Sequence, residues 1–155
     1  MKASTEYGMR TVLYLAEKGT VCSSRNVAED MAVPRDYLIQ LAQLLRNAGI
    51  IEARPGKHGG YCLAKAPEKI SVYDVVKALK EERKGSSKRR SKPKKTNEFA
   101  NDIISAYGMV EHSVDEHMKA MTIAMLLEYM HSDQPENEFL ANKMIECANN
   151  LKAGK

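Results

Sequence analysis

Apolar positions recur every three or four residues through much of the first half of the chain, the spacing of a single helical face. Met9, Val12, Leu13 and Ala16 predict a helix that Ser4 can cap and that runs to about Lys18, with Gly19 as its stop. Ser23 or Ser24 can cap a short second helix carrying Val27, Ala28 and Met31. Val33-Pro34 marks the next boundary. The third helix is the most regular. Tyr37, Leu38, Leu41, Leu44, Leu45 and Ala48 form its apolar stripe, whereas Arg35, Asp36, Ile39, Gln40, Gln43 and Arg46 lie largely off it. Gly49 ends it.

The period then changes. Ile50 to Arg54 reads as a strand, Pro55 to Gly60 as a glycine-rich turn, and Tyr61 to Ala64 as the returning strand. Ser71 with Asp74 makes a capping box for a helix through about Lys80, whose apolar face is Val72, Val75, Val76 and Leu79. From Ile103 onward, Tyr107, Val110, Val114, Met118, Met121 and Met125 again follow a three-four spacing, which is either a dimer seam or an internal core stripe.

Three short helices followed by a glycine-tipped hairpin describe a winged helix-turn-helix, a fold whose second motif helix packs one face and offers polar groups on the other. The expected class is therefore mainly α with a small β-hairpin wing, a winged helix-turn-helix followed by a long C-terminal helix. The expected division is a winged helix-turn-helix domain over 1–82, a basic loop over 83–97, and a helical region over 98–155, to which the resemblance described below assigns dimerisation.

Charge sharpens this picture. The 155 residues carry a net +4 that is unevenly spread. Residues 1–82 balance to +2 and residues 96–155 to −6, while residues 83–95 hold eight bases and no acid. That run, including Lys88, Arg89, Arg90, Lys92, Lys94 and Lys95, is low in complexity and is expected to be a linker able to add phosphate contacts. No aromatic residue interleaves with it, which disfavours stacking on single strands.

Other chemistries are weakly represented. Hydrophobic residues make 43% of the chain, but no apolar run reaches the roughly 18 residues of a membrane span, and no signal-peptide pattern is found. Cys22, Cys62 and Cys147 are scattered, without a C-x-x-C, which fits a reducing cytoplasm. Cys22 stands just before the second helix, where the helix dipole can lower a thiol pKa, so it is a candidate redox sensor, although a buried inert thiol is the favoured reading. His112 and Glu116 share a helix face at a spacing able to hold a metal, but such pairs are common on solvated helices, and no metal site is expected. The Gly56-Lys57-His58-Gly59-Gly60 turn lacks the spacing of a nucleotide-binding loop, and no nucleophile–base–orienter set stands out, so an enzyme is not expected.

The ordered segments Ser4 to Ala16, Tyr37 to Leu41, Leu45 to Ile51, Gly56 to Ala64 and Ile70 to Val76 resemble the Rrf-type winged-helix transcription regulators, relatives of iron–sulfur and nitric-oxide sensing regulators. The resemblance implies a bacterial transcription factor that forms a homodimer through a long helix and binds a roughly palindromic double-stranded DNA operator; repression is the expected mode of action. In many relatives three cysteines before that helix ligate an iron–sulfur cluster. Here residues 82–98 contain none, and Ser86, Ser87 and Ser91 stand in the stretch instead, so no cluster or other cofactor is expected. Glu6 matches an acidic position that completes the cluster in some relatives. Ile39 stands where operator-reading members often carry glutamate, and Pro55 where they often carry a wing arginine, so the operator does not carry over.

The expected DNA-contacting residues are Arg35, Asp36, Ile39, Gln40 and Gln43 on the third helix and Arg54, Lys57 and His58 on the wing. Tyr107, Val110, Val114, Met118 and Met121 are the expected dimer seam. Three signals fit such a protein: a small molecule held between the two parts of the fold, a thiol oxidation, or a protein effector. Two rival functions remain open at this point, a protein-interaction module that no longer reads an operator and a nonspecific nucleic-acid binder acting through the basic run.

Overall fold

Residues 3–80 and 97–153 are described by a computed structural model. The basic run over 83–95 and its expected phosphate contacts lie outside the described residues. Helix α1 (Ala3–Lys18) ends where Gly19 turns left-handed at φ 63°. Ser23 caps α2 (Ser24–Asp30), its hydroxyl accepting the Asn26 N–H at 3.1 Å. Helix α3 (Arg35–Asn47) begins directly after Pro34 and buries Leu38, Leu41, Ala42 and Leu45. Gly49, at φ 67°, releases the chain into β1 (Ile51–Arg54), which pairs antiparallel with β2 (Gly60–Leu63).

The hairpin is fastened near its turn end. Cys22 and Tyr61 exchange both backbone hydrogen bonds at 2.8 Å, so residue 22 adds a one-residue bridge, a further rung on the other edge of β2. Gly60 makes this approach possible, because a β-carbon there would stand 1.9 Å from the Cys22 carbonyl oxygen. A 3₁₀ turn (Pro67–Lys69) leads to α4 (Val72–Lys80), and the capping box forms with both arms: Ser71 N–H donates to Asp74, and Asp74 N–H donates back to the Ser71 hydroxyl. The core of this half gathers Val12, Leu15, Val27, Leu38, Leu41, Leu45, Ile50, Ile51, Ile70 and Val75 from α1 to α4, β1 and the segments flanking them.

Helix α5 (Glu98–Ala120) starts at an Asn97 cap, five residues before the apolar stripe suggested. The stripe itself is not one helix. It breaks after Ala120, Thr122 caps α6 (Ile123–Met130), and α7 (Glu136–Ala153) follows. Met121, expected on the dimer seam, therefore lies off α5 in an extended link. The link is held by tertiary pairing: Val72 N–H donates to the Met121 carbonyl at 2.8 Å and Ile123 N–H to the Ile70 carbonyl at 2.9 Å. Ile123 is fully buried in the core of the first half, and His131 at the end of α6 pairs with Glu17 of α1 at 2.9 Å. Thus α6 is anchored on the helix-turn-helix half.

Candidate nucleic-acid interface

The residues off the α3 stripe form one exposed face. Arg35, Asp36, Ile39, Gln40, Gln43 and Arg46 are all exposed, and Ile39 is 45% accessible despite its apolar side chain. The helix is held in this orientation by packing on α1, α2, α4 and β1 and by Tyr37, whose ring meets Tyr7 edge-on at 5.9 Å. Arg10 braces the turn between α2 and α3 by donating to the Met31 carbonyl at 3.3 Å, while its other end pairs with Glu6. Glu6 is thereby engaged within α1.

The polar groups on the face differ in readiness. Gln43 is tied along the helix, donating to Asn47 at 2.9 Å and accepting from Arg46 at 3.4 Å. Arg54 pairs with Glu52 on its own strand at 3.0 Å. Among the described residues, Arg35, Asp36, Gln40, Lys57 and His58 have no side-chain partner, so these are the groups free to meet a ligand. Lys57 and His58 sit at the exposed tip of the wing, in the turn closed by Gly59 N–H donating to the Gly56 carbonyl at 3.0 Å. The face offers three unpartnered polar side chains and the wing tip two, groups of the kinds that meet base edges and phosphates.

The lowering of the Cys22 thiol pKa that its place before a helix suggests is reversed. Its backbone is paired into the wing, it is only 9% exposed, and burial pushes its thiol up from the ordinary value, with Lys18 opposing that trend in part. Ser23, one residue later, takes the cap position whose dipole would have lowered the thiol. A residue that sequence reasoning missed is Gly60, whose role as the fastening point of the wing depends on a neighbour 38 residues away. Arg46 also belongs to the exposed face, at the C-terminal end of α3.

On the other half, α5 carries an exposed apolar row. Phe99, Ile103, Tyr107, Val110 and Val114 recur at spacings of four, four, three and four, and they are 73, 55, 64, 55 and 52% accessible. Met118, the next member, is half-buried. No helix among the described residues is long and apolar enough to cross a membrane.

The residues of the 82–98 stretch do not fit a cysteine-ligated cluster. Its side chains with donor atoms are serine and threonine hydroxyls, the Asn97 amide, carboxylates and cationic groups, and thiolate is the ligand such iron requires. Cys22 and Cys62 both lie on the wing half, Cys22 in its buried rung.

Comparison with known proteins agrees with this architecture. The protein rrf2 of Nitratidesulfovibrio vulgaris is 41% identical over 85 residues, covering 52% of this chain and 57% of that protein. The regulator CymR of Bacillus subtilis is 35% identical over 83 residues, covering 51% of this chain and 60% of that one. The chain thus spans less than two thirds of the length of the curated relatives it matches. The solved structure of B. subtilis CymR superposes with a TM-score of 0.66 at 24% identity, over 83% of this chain and 96% of that one. T. potens IscR gives the same TM-score and identity over 87% and 93%. At those identities the likeness shows the winged-helix fold. The family described as Rrf2, iron-dependent transcriptional regulator, matches residues 1–129. By that match the chain belongs to the Rrf2 family of transcriptional regulators.

Proposed function

We propose that this chain is a sequence-reading, DNA-binding transcription regulator that acts as a homodimer and represses the promoters it occupies. The observation that carries the reading is the exposed face of α3, on which Arg35, Asp36 and Gln40 have no side-chain partner among the described residues. Laid in the major groove, Gln40 is of the type that bridges the adenine amino group and ring nitrogen, Arg35 suits guanine, and Asp36 accepts from a cytosine amine. Ile39 offers contact to a thymine methyl and no hydrogen bond. The wing supplies Lys57 and His58 to the sugar-phosphate edge, with Arg54 available once it leaves Glu52.

A single such face covers too few base pairs to define an operator, and the exposed row on α5 supports two. Phe99 through Val114 would be costly to leave in water and matches a helix–helix seam between two copies. Two-fold pairing would set the recognition helices about 34–36 Å apart, one turn of duplex. Repression follows most simply, since a dimer across successive major grooves occludes that stretch from other proteins.

Selection of sites from a random DNA library tests the reading, at about 150 mM salt so that nonspecific phosphate binding is suppressed. A palindromic motif is the expected result. Recovery of no motif, with all binding lost on adding salt, overturns operator reading in favour of nonspecific binding. A Val110→Glu chain that sediments as a folded monomer is the expected companion result, and an unchanged dimer overturns the α5 seam.

A further inference from the structure

The C-terminal end of α5, the link after it and helix α7 border an open hollow of about 270 Å³ with Met121, Leu140, Met144 and Ala148 among its walls. It adjoins a second of about 170 Å³ that shares Met121 and Leu140 and adds Met125 and Leu126. Together they fall within the roughly 300–1,000 Å³ range of small-molecule sites, and methionines give such walls an adaptable shape. The outer wall is α7, docked by Phe139 against the Tyr129 ring at 5.0 Å and lying beyond residue 129, where the family match ends.

The charged groups around the larger hollow are already engaged. Lys143 is held by Glu128 and Glu146, each at 2.8 Å. Glu116 is paired with Lys119 at 2.7 Å, and His117 Nδ1 donates to the Ser113 carbonyl at 2.8 Å. A cavity with apolar walls and a neutralised rim matches an uncharged apolar molecule, because an anion or a cation would have to break one of these pairs.

Its location gives occupancy a consequence. Met121 lines both hollows, and its carbonyl receives the Val72 N–H that begins α4; Thr122 caps α6 and Ile123 enters the core of the reading half. We propose that this hollow is an effector site for a neutral, apolar small molecule, whose binding is transmitted through the Met121–Ile123 link to the α4 end of the helix-turn-helix half. As an effector site it rests on the DNA-reading function proposed above; as a binding site it does not.

The full chain is titrated with N-phenyl-1-naphthylamine, an uncharged aromatic probe whose fluorescence rises in apolar surroundings. Amide hydrogen exchange is followed in the segments 70–73 and 121–124. Saturable binding of one probe per chain is expected, weakened at least about tenfold by Met144→Glu, which puts a charge in the wall, and by Ala148→Phe, which fills it. Exchange in both segments is expected to change with probe in the original chain and in neither variant. Absence of saturable binding, or binding unaltered in both variants, overturns the site, and unchanged exchange overturns the transmission. If probe binding is absent while Met144→Glu weakens self-association, the hollow belongs to a second copy and the proposal fails. Loss of DNA recognition in the unliganded chain would leave the probe and exchange results standing, so the two readings fail separately.

Discussion

Gln40 and Lys57 are both exposed and both without a side-chain partner among the described residues, but they would meet different parts of a duplex. A bidentate amide–adenine contact discriminates by about 1–3 kcal/mol, so Gln40→Ala is expected to relax the selected motif at one position per half-site. Lys57→Ala is expected to weaken all sequences alike and to flatten the salt dependence by about one unit. Binding to a panel of single-base operator variants separates the two, and a uniform loss from Gln40→Ala would remove α3 from base reading. Gly60 matters in another way. A β-carbon 1.9 Å from the Cys22 carbonyl oxygen must push the rung apart, so Gly60→Ala is expected to destabilise the chain by about 1–3 kcal/mol in denaturant unfolding. Tyr14 supplies a pH signature. Its hydroxyl donates to Asp30 at 2.6 Å, and that bond, assisted by burial and by the Asp30 charge, pushes its pKa up to about 12 from 10.0. The neutral phenol is favoured by the fold, so its contribution is full below pH 10 and lost as pH rises toward 12. Stability measured from pH 9 to 12 should fall less steeply in Tyr14→Phe than in the original chain, and identical slopes would remove the bond from the account.

At the scale of elements, the capping box at α4 joins a local signal to a long-range one. Ser71→Ala removes the acceptor for Asp74 N–H and the donor of the 2.8 Å bond to the Asp74 carboxylate. The expected loss is about 1 kcal/mol of unfolding free energy, and a change within error in denaturant midpoint would show the cap to be redundant. Elements of this kind were legible in the chain. The stripe of α3 and its Gly49 stop are local patterns, and the observed helix keeps Leu38, Leu41 and Leu45 in the core with Arg35, Asp36 and Gln40 outside. The break between α5 and α6 was not legible, because Met118, Met121 and Met125 continue the three-four spacing across it. Thr122 is the local hint. What fixes the break is the pairing of residues 121 and 123 with 72 and 70, about fifty residues away. Cys22 teaches the same lesson from the other side. Its position before a helix suggested a lowered thiol pKa, whereas the wing rung that buries it comes from residue 61. The free side chains of the candidate interface were legible as outward positions. That Gln43 and Arg54 are tied to neighbours is visible only in three dimensions.

At the scale of the molecule, the uneven charge becomes an argument about binding strength as distinct from binding choice. The reading half is nearly balanced, the C-terminal part is acidic, and the eight bases over 83–95 hold more positive charge than the whole chain's net. Most nonspecific attraction to a polyanion would therefore come from that run, while every candidate base contact lies on α3. Removing one phosphate contact lowers the slope of log affinity against log salt by about 0.9. Replacing the eight bases by serine and glycine keeps the length of chain between α4 and α5, so the geometry of any dimer is not strained. The expected outcome is a selected motif that is unchanged, a weaker affinity at low salt, and a slope made shallower in proportion to the phosphates the run had neutralised. The difference between original and altered chains should shrink as salt rises, because the exposed cations are the part that salt screens. If the motif disappears with the bases, the run is the recognition element and α3 a scaffold for it. If neither affinity nor slope moves, the run does not touch DNA, and the whole of binding falls to the α3 face and the wing.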